Sequence, residues 1–193
     1  MGELAGLPAR RDGVIYLTEG GTETEIMYKR GYELPEFAMF PLLENPEVVG
    51  LARAVRAQDV PLTISLTVTD TGRLRSGPSV AEAVTAIDAQ TGGSVAFFGL
   101  NCSHPVEFMP GLEAGDWSKR MRSFRPNASK MEKIALCKLG HLEEGDPDEL
   151  GVLMGELAGT YPHMDVWGGC CGTGDLHLRQ IARAVKAARG LTP

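Results

Sequence analysis

Two thiol motifs, 68 residues apart, are the groups in this sequence best suited to chemistry. The first is Gly-Leu-Asn-Cys at residues 99–102, and the second is Gly-Gly-Cys-Cys-Gly-Thr at residues 168–173. Each follows a short apolar run and lies among glycines, so each can place a thiol where a strand turns into a loop. Cys102, Cys170 and Cys171 could then bind one metal ion. Three protein ligands leave one tetrahedral position of zinc open, as in catalytic zinc sites.

Three thiolates would make such a zinc ion electron-rich and would suit it to a soft sulfur ligand. A substrate thiol that enters the open position loses its proton and remains a nucleophile at neutral pH. The motifs therefore predict activation of a substrate thiol for alkyl transfer.

Other interpretations of the same residues remain open. Free cysteine is often a small buried hydrophobic residue, and this is the interpretation we prefer for Cys137. A closed structural zinc site would need a fourth ligand, for which His104 is the nearest candidate in the sequence. A redox-active thiol protein is a further alternative. Glu19, beside two glycines, could be a solvated carboxylate or a ligand for an amine.

Composition narrows the class of protein. The chain has 193 residues, enough for one domain with a substantial core, and its net charge of −6 argues against a nucleic-acid partner. No apolar run is long enough to cross a bilayer, and the first residues lack the apolar segment of a secretory signal. With few cysteines and no export signal, we expect reduced thiols and a cytoplasmic location.

Hydrophobic periodicity and turn residues predict alternating strands and helices, and hence an α/β fold with parallel strands. The predicted strands cover residues 13–18, 61–68, 95–100, 122–127 and 164–167. Predicted helices cover residues 46–57, follow caps at Ser79 and Asp148, and begin at Asp175, the last ending at Gly190. Residues 128–147 are predicted to be a long loop.

Five motifs in order along the chain resemble the zinc-dependent homocysteine S-methyltransferase family, which includes the betaine– and S-methylmethionine–homocysteine methyltransferases. They are Leu-Thr-Glu-Gly-Gly-Thr-Glu-Thr (17–24), Gly-Leu-Asn-Cys-Ser-His-Pro (99–105), Arg-Pro-Asn-Ala-Ser (125–129), Glu-Gly-Asp-Pro (144–147) and Gly-Gly-Cys-Cys-Gly-Thr (168–173).

The resemblance implies a (β/α)8 barrel, a Zn2+ ion held by Cys102, Cys170 and Cys171, and methyl transfer to homocysteine from a sulfonium or quaternary ammonium donor. It gives Glu19 the place of the acidic residue, usually Asp, that contacts the homocysteine amine. Gly20 and Gly21 would let the substrate lie against the backbone, and Asn101 is assigned with them to substrate binding. A small methyl donor and homocysteine are the expected partners.

The chain is shorter than the family pattern, and the difference is local. Residues 1–193 resemble a single homocysteine-binding domain with an apparent internal deletion near residues 56–60, where a predicted helix leads directly into a strand resembling the fifth of the barrel. Strands resembling the first and the fifth to eighth are present, and the second to fourth are missing. Five strands would leave two open edges. The sequence therefore also allows an inactive, truncated family member that keeps its zinc ligands and associates through these edges, as a homo-oligomer.

Overall fold

The computed structural model describes residues 13–17, 62–74 and 76–191. The strands in these ranges are β1 (Tyr16–Leu17), β2 (Thr63–Leu66), β3 (Phe97–Asn101), β4 (Met121–Arg125) and β5 (Val166–Trp167). The helices are α1 (Val80–Thr91), α2 (Pro105–Phe108), α3 (Lys133–Lys138), α4 (Pro147–Thr160) and α5 (Asp175–Ala188), with 3-10 turns at Met109–Gly111 and Asp116–Arg120.

All of these strands are parallel and belong to one sheet, in the order β1-β5-β4-β3-β2. Strands β2 to β5 are therefore neighbours in chain order, and β1 pairs with β5. In a doubly wound sheet the strand order reverses at a switch point, whereas here it advances in one direction and returns to the first strand. The α/β class with parallel strands is confirmed, and the order is compatible with part of a barrel.

Local sequence explains where the two best-capped helices begin. Ser79 forms a capping box with Glu82 at the start of α1, since its hydroxyl accepts from the Glu82 N–H and the Glu82 carboxylate accepts from the Ser79 N–H. At the start of α4, the Asp146 carboxylate accepts from the N–H groups of Asp148 and Glu149. Pro147 follows at the first helical position, where its missing N–H costs nothing.

Two predictions about the elements were wrong in detail. The cap of α4 is Asp146 rather than Asp148, because Pro147 can occupy the first turn and so the helix starts earlier. The predicted loop 128–147 contains the short helix α3, begun by the Glu132 carboxylate accepting from the Ala135 N–H. The predicted helix at residues 46–57 lies outside the described residues.

The core lies between the sheet and the helices. Phe124 of β4 is fully buried at its centre, stacked on Phe108 at a centroid distance of 5.1 Å and edge-on to Trp167 at 5.6 Å. Helices α4 and α5 pack closely, because the missing side chain of Gly155 leaves room for Ala184. Burial of these aromatic side chains, together with the aliphatic residues of the core, stabilises the fold.

The opposite face of the sheet is more polar, because successive side chains of a strand point to opposite faces. Ser65, Gly99 and Ser123 lie in register across β2, β3 and β4. Asn101 and Arg125 are paired two residues further along β3 and β4, on the same face. This face carries the polar groups toward the carboxyl ends of the strands. Within the described ranges, no helix has the length and apolar character that crossing a membrane requires.

We expect Leu157→Ala to lower the free energy of unfolding by about 2–5 kcal/mol, because Leu157 on α4 is 2% exposed and its loss leaves a cavity. Val152→Ala on the same helix is the control, since Val152 is 61% exposed and should change stability by less than about 0.5 kcal/mol. Urea denaturation followed by circular dichroism measures both. Equal losses in the two variants would contradict this placement of the core.

Candidate metal centre

The three thiols of the two motifs come together at the carboxyl edge of the sheet. Cys102 immediately follows β3, and Cys170 and Cys171 lie in the turn after β5. Their sulfur atoms all lie within 4.8 Å of one another, with 2.7 Å between Cys102 Sγ and Cys170 Sγ and 4.0 Å between Cys170 Sγ and Cys171 Sγ. None of the three forms a disulfide bond. Strand ends of a parallel sheet are where such folds bind ligands.

The backbone of Cys102 is held in an uncommon conformation. Its φ of 53° is in the left-handed region, where it is the sole non-glycine residue among those the structure describes. The Cys102 N–H donates to the Arg125 carbonyl at 3.2 Å, and the Cys102 carbonyl accepts from Asn127 Nδ2 at 3.1 Å. These two bonds offset the strain of about 1–2 kcal/mol that an L-residue carries there and fix the direction of the thiol.

The segment 125–128, which follows β4, joins the two thiol motifs through its main chain. Its Pro126 carbonyl accepts from the Cys170 N–H at 2.7 Å, and its Ala128 N–H donates to the Cys171 carbonyl at 2.9 Å. On the other side, Asn127 N–H donates to the Ser103 carbonyl at 3.2 Å. Backbone bonds from one short segment thus set the separation of the three thiols.

The turn that carries Cys170 and Cys171 is closely packed. Gly169 contacts the side chain of Thr173, whose hydroxyl donates to the Cys170 carbonyl at 2.7 Å. Gly172 has a φ of 79° and lies against the Glu143 carbonyl oxygen. A side chain at residue 169 or 172 would displace these neighbours, which explains why glycine flanks the two cysteines.

His177 ties the same turn to the preceding loop. It is buried on the first turn of α5, where its Nδ1 accepts from the Gly174 N–H at 3.2 Å. Its Nε2–H therefore donates to the Glu144 carbonyl at 2.6 Å. His177 thus holds the backbone on either side of the turn that carries the two thiols.

The short distances between the thiols shift the pKa values of Cys102 and Cys170. The pKa of Cys170 is held well below its usual value, first by the hydrogen bond from the Cys102 thiol, then by that from Cys171, and further by the positive charge of Arg125. Because Cys102 is the donor, and because it is buried, its own pKa is raised. The close contact of the thiols thus shifts the pKa values of Cys102 and Cys170 in opposite directions.

His104 is neutral and lies outside the thiol cluster. Burial, followed by the nearby charge of Lys130, lowers the pKa of His104 to about 4. The His104 Nδ1 accepts from the Val106 N–H at the start of α2. Among the described residues, the cluster of potential metal ligands contains the three thiols and no histidine, so nothing in it supports His104 as a fourth ligand.

Sequence reasoning missed Asn127. Its side chain is 4% exposed, its Nδ2 is bonded to the Cys102 carbonyl, and its Oδ1 has no hydrogen-bond partner in the described part of the chain. A buried amide oxygen without a partner costs free energy unless another group takes its lone pairs. Asn127 belongs to the Arg-Pro-Asn-Ala-Ser motif, but the motif gives no sign that this residue lies between the two thiol turns.

The other predicted site residues divide into two groups. Asn101 belongs to the described site, and its Nδ2 donates to Cys102 Sγ at 3.1 Å, whereas its contact with a substrate remains a prediction. Glu19, Gly20 and Gly21 lie outside the described residues, as does the side chain of Cys137. Their predicted roles therefore stay predictions.

Comparison of the sequence with known families and proteins identifies relatives of this chain. The family model described as homocysteine S-methyltransferase matches residues 22–185. The chain belongs to this family. It is 30% identical over 146 residues to a methionine synthase of Mycobacterium tuberculosis and 31% identical over 144 residues to that of Mycobacterium leprae. Each alignment covers 72% of this chain and 11% of the relative, so the chain spans about a ninth of the length of these curated relatives.

Members of the homocysteine S-methyltransferase family are generally zinc-dependent, and the thiol cluster fits such an ion. A Zn–S bond of about 2.3 Å in tetrahedral geometry separates two thiolate sulfurs by about 3.8 Å. The Cys170–Cys171 separation of 4.0 Å is close to this value, and Cys102 and Cys170 would have to part by about 1 Å. The three thiols form a donor set suited to zinc.

We expect Gly172→Ala to weaken metal binding and to destabilise the fold, because a methyl group there would overlap the Glu143 carbonyl and contact the Ala128 side chain. Gly140→Ala is the matched control: Gly140 has a similar φ of 69° but nothing within 4 Å of the added methyl. Both variants carry a backbone strain of about 1–2 kcal/mol, whereas only Gly172→Ala adds the steric conflict. Cobalt titration followed by thiolate absorption, with urea denaturation alongside, measures the difference. Equal behaviour of the two variants would refute the packing described for this turn.

Proposed function

We propose that this chain binds zinc through Cys102, Cys170 and Cys171 and transfers a methyl group to the thiol of homocysteine. The observation that carries the proposal is the convergence of three thiols, from two strand-end turns, within 4.8 Å in a member of the homocysteine S-methyltransferase family. A donor with a positively charged methyl-bearing centre, a sulfonium or a quaternary ammonium, suits attack by a thiolate.

The chemistry of the metal follows from its ligands. Bound by three protein thiolates, zinc would keep one position for the substrate sulfur and would lower the pKa of that thiol, so that it is a nucleophile at neutral pH. A structural site would need a fourth protein ligand. Since the cluster among the described residues offers three thiols, an open site is the better interpretation.

The protein's own residues hold this arrangement and balance its charge. The segment 125–128 fixes the positions of both thiol turns through main-chain bonds. The positive charge of Arg125 acts on Cys170 and offsets part of the negative charge that three thiolates accumulate. Cys102 and the neighbouring Ser103 and His104 are buried, whereas Cys170 and Cys171 are half-buried.

The substrate amine is assigned to Glu19, with Gly20 and Gly21 letting the substrate lie against the backbone. This assignment is supported by the family motif at residues 17–24, which would follow directly after β1. Because β1 pairs with β5, the end of β1 lies beside the strand that leads to Cys170 and Cys171. A carboxylate at that position can pair with an ammonium group while the sulfur of the same molecule reaches the thiol cluster.

We further propose that the barrel is incomplete, lacking the second to fourth strands, and that the deletion lies near residues 56–60. The strand order supports this, because β1 and β2 are the two ends of the described sheet. Open edges would favour association with a second copy. The alternative of an inactive, truncated member remains, and zinc content without methyl transfer by the dimer or the monomer would favour it. The cytoplasm stays our predicted compartment, since reduced thiols persist there.

Replacing any one thiol of the trio tests the metal assignment. We expect Cys102→Ala, Cys170→Ala and Cys171→Ala each to reduce zinc from one ion per chain to well under half and to abolish methyl transfer, because two thiolates bind zinc much more weakly than three. Cys137→Ala is the control and should keep both zinc and activity. Zinc is measured by atomic emission on reduced protein. Full zinc content in Cys170→Ala would overturn the assignment.

Glu19→Gln tests the substrate assignment separately. We expect unchanged zinc content and a loss of homocysteine affinity of about tenfold or more, since a charged hydrogen bond contributes about 1.5–3 kcal/mol. The control ligand is 4-mercaptobutanoate, which lacks the amine and should bind the wild type and the variant equally. Calorimetric titration of both thiols measures this. An equal loss of affinity for the two thiols would show that Glu19 does not bind the amine.

A further inference from the structure

The side chain of Asn101 is held between two groups at the end of the sheet. Its Nδ2 donates to Cys102 Sγ at 3.1 Å, and its Oδ1 accepts from the Thr67 hydroxyl at 3.4 Å. Asn101 is the last residue of β3, and Thr67 directly follows β2. The three residues thus form a chain of hydrogen bonds that runs from one strand end to the metal centre.

An independent contact fixes the two strand ends relative to each other. The Ser103 hydroxyl, fully buried, donates to the Val68 carbonyl at 2.9 Å and accepts from the Val68 N–H at 3.1 Å. Since Val68 follows Thr67 and Ser103 follows Cys102, this pair holds the two ends of the chain of hydrogen bonds together. The position of Thr67 beside Asn101 is therefore held by the Ser103–Val68 pair as well as by the hydrogen bond between Thr67 and Asn101.

The orientation of the Asn101 amide follows from the state of the sulfur. A thiolate bound to a metal has no proton and can only accept, so the group that faces it must be the N–H side of the amide. The Thr67 hydroxyl, donating to Oδ1, favours this orientation and opposes the flipped one. A hydrogen bond from an amide N–H withdraws charge from a thiolate and makes it a weaker nucleophile.

We propose that Thr67 and Asn101 are positioning residues that hold the Cys102 sulfur and restrain its reactivity, so that methylation is directed to the substrate sulfur rather than to this ligand. This inference rests on the proposed function, because protection of Cys102 from methylation matters only if the chain transfers methyl groups. It gives a role to two residues that the metal assignment does not require. A site with several thiolates around one metal must prevent the alkyl donor from reacting with its own ligands. The N–H donor to Cys102 supplies that discrimination at this sulfur.

The first test needs no variant and no activity. In protein loaded with cadmium-113, the side-chain N–H of Asn101 should show scalar coupling to the metal through the sulfur of Cys102, because the coupling passes along an N–H···S–Cd path. We expect this coupling in a proton–cadmium correlation spectrum. Full cadmium occupancy with no coupling to the Asn101 side chain would overturn the proposal.

The second test measures reactivity. Zinc-loaded protein is treated with iodoacetamide, which forms a C–S bond at the cysteine sulfur with loss of iodide, and each cysteine is followed by peptide mass spectrometry. We expect Asn101→Leu to raise the alkylation rate of Cys102 about fivefold or more, with Cys170 and Cys171 changed much less. Thr67→Val should act in the same direction, and Thr67→Ser, which keeps the hydroxyl, should resemble the wild type.

The outcomes separate this proposal from the proposed function. An unchanged Cys102 rate in Asn101→Leu, or the same increase in Thr67→Ser as in Thr67→Val, would refute the positioning role even if methyl transfer is intact. Conversely, coupling and protection in a protein without methyl transfer would support the role while the proposed function fails. If the chain binds neither zinc nor cadmium, the proposed function fails at once.

The positioning role is then decided in metal-free protein by solvent exchange of the Asn101 side-chain N–H. Slow exchange in the wild type and fast exchange in Thr67→Val would support the role. Equal exchange in the two proteins would refute it.

Discussion

The geometry of the thiol cluster depends on the main chain of residues 125–128. This segment receives the N–H of Cys102 and of Cys170 on two successive carbonyls and returns N–H groups to Ser103 and Cys171. Because backbone groups make these bonds, most side-chain substitutions leave them in place. The segment 125–128 thus fixes the distances between thiols that lie 68 positions apart in the sequence.

A second constraint is charge. Three thiolates and one divalent cation leave a net negative charge in a partly buried site, which is unfavourable unless other groups offset it. The positive charge of Arg125 and the N–H of Asn101 both act on sulfur atoms of the cluster. We expect proton release on metal binding, because a thiol must lose its proton to bind a metal and the neighbouring thiols and burial raise the pKa of Cys102.

Much of the fold could be predicted from the sequence, because its signals are local. β-Branched runs located β2, Ser79 marked the start of α1, and the glycines around Cys170 and Cys171 indicated a tight turn. The convergence of the three thiols could be predicted as well, since each cysteine motif follows a predicted strand and parallel strands end at the same edge of a sheet. The start of α4 was misplaced by two residues, because Asp146 and Asp148 are both good caps and only the first-turn position of Pro147 decides between them.

The parts that could not be predicted are those set by long-range contacts. Nothing local in Arg-Pro-Asn-Ala shows that Asn127 lies between two turns, or that its amide binds the Cys102 carbonyl. The bond from Asn101 to the sulfur of Cys102 likewise depends on the left-handed backbone of Cys102 and on Thr67 from another strand. This bond could not be found from the sequence, because Thr67 follows a different strand of the sheet, and the assignment of Asn101 to substrate binding stays a prediction.

The central claim is that the three thiols form one open metal site that accepts a substrate sulfur. X-ray absorption at the zinc edge, on reduced protein with and without homocysteine, tests it most directly. We expect one zinc per chain with three sulfur ligands and one lighter ligand, changing to four sulfur ligands when homocysteine is added. A zinc ion whose ligands do not change on addition of homocysteine, or a protein that binds no zinc, would contradict it.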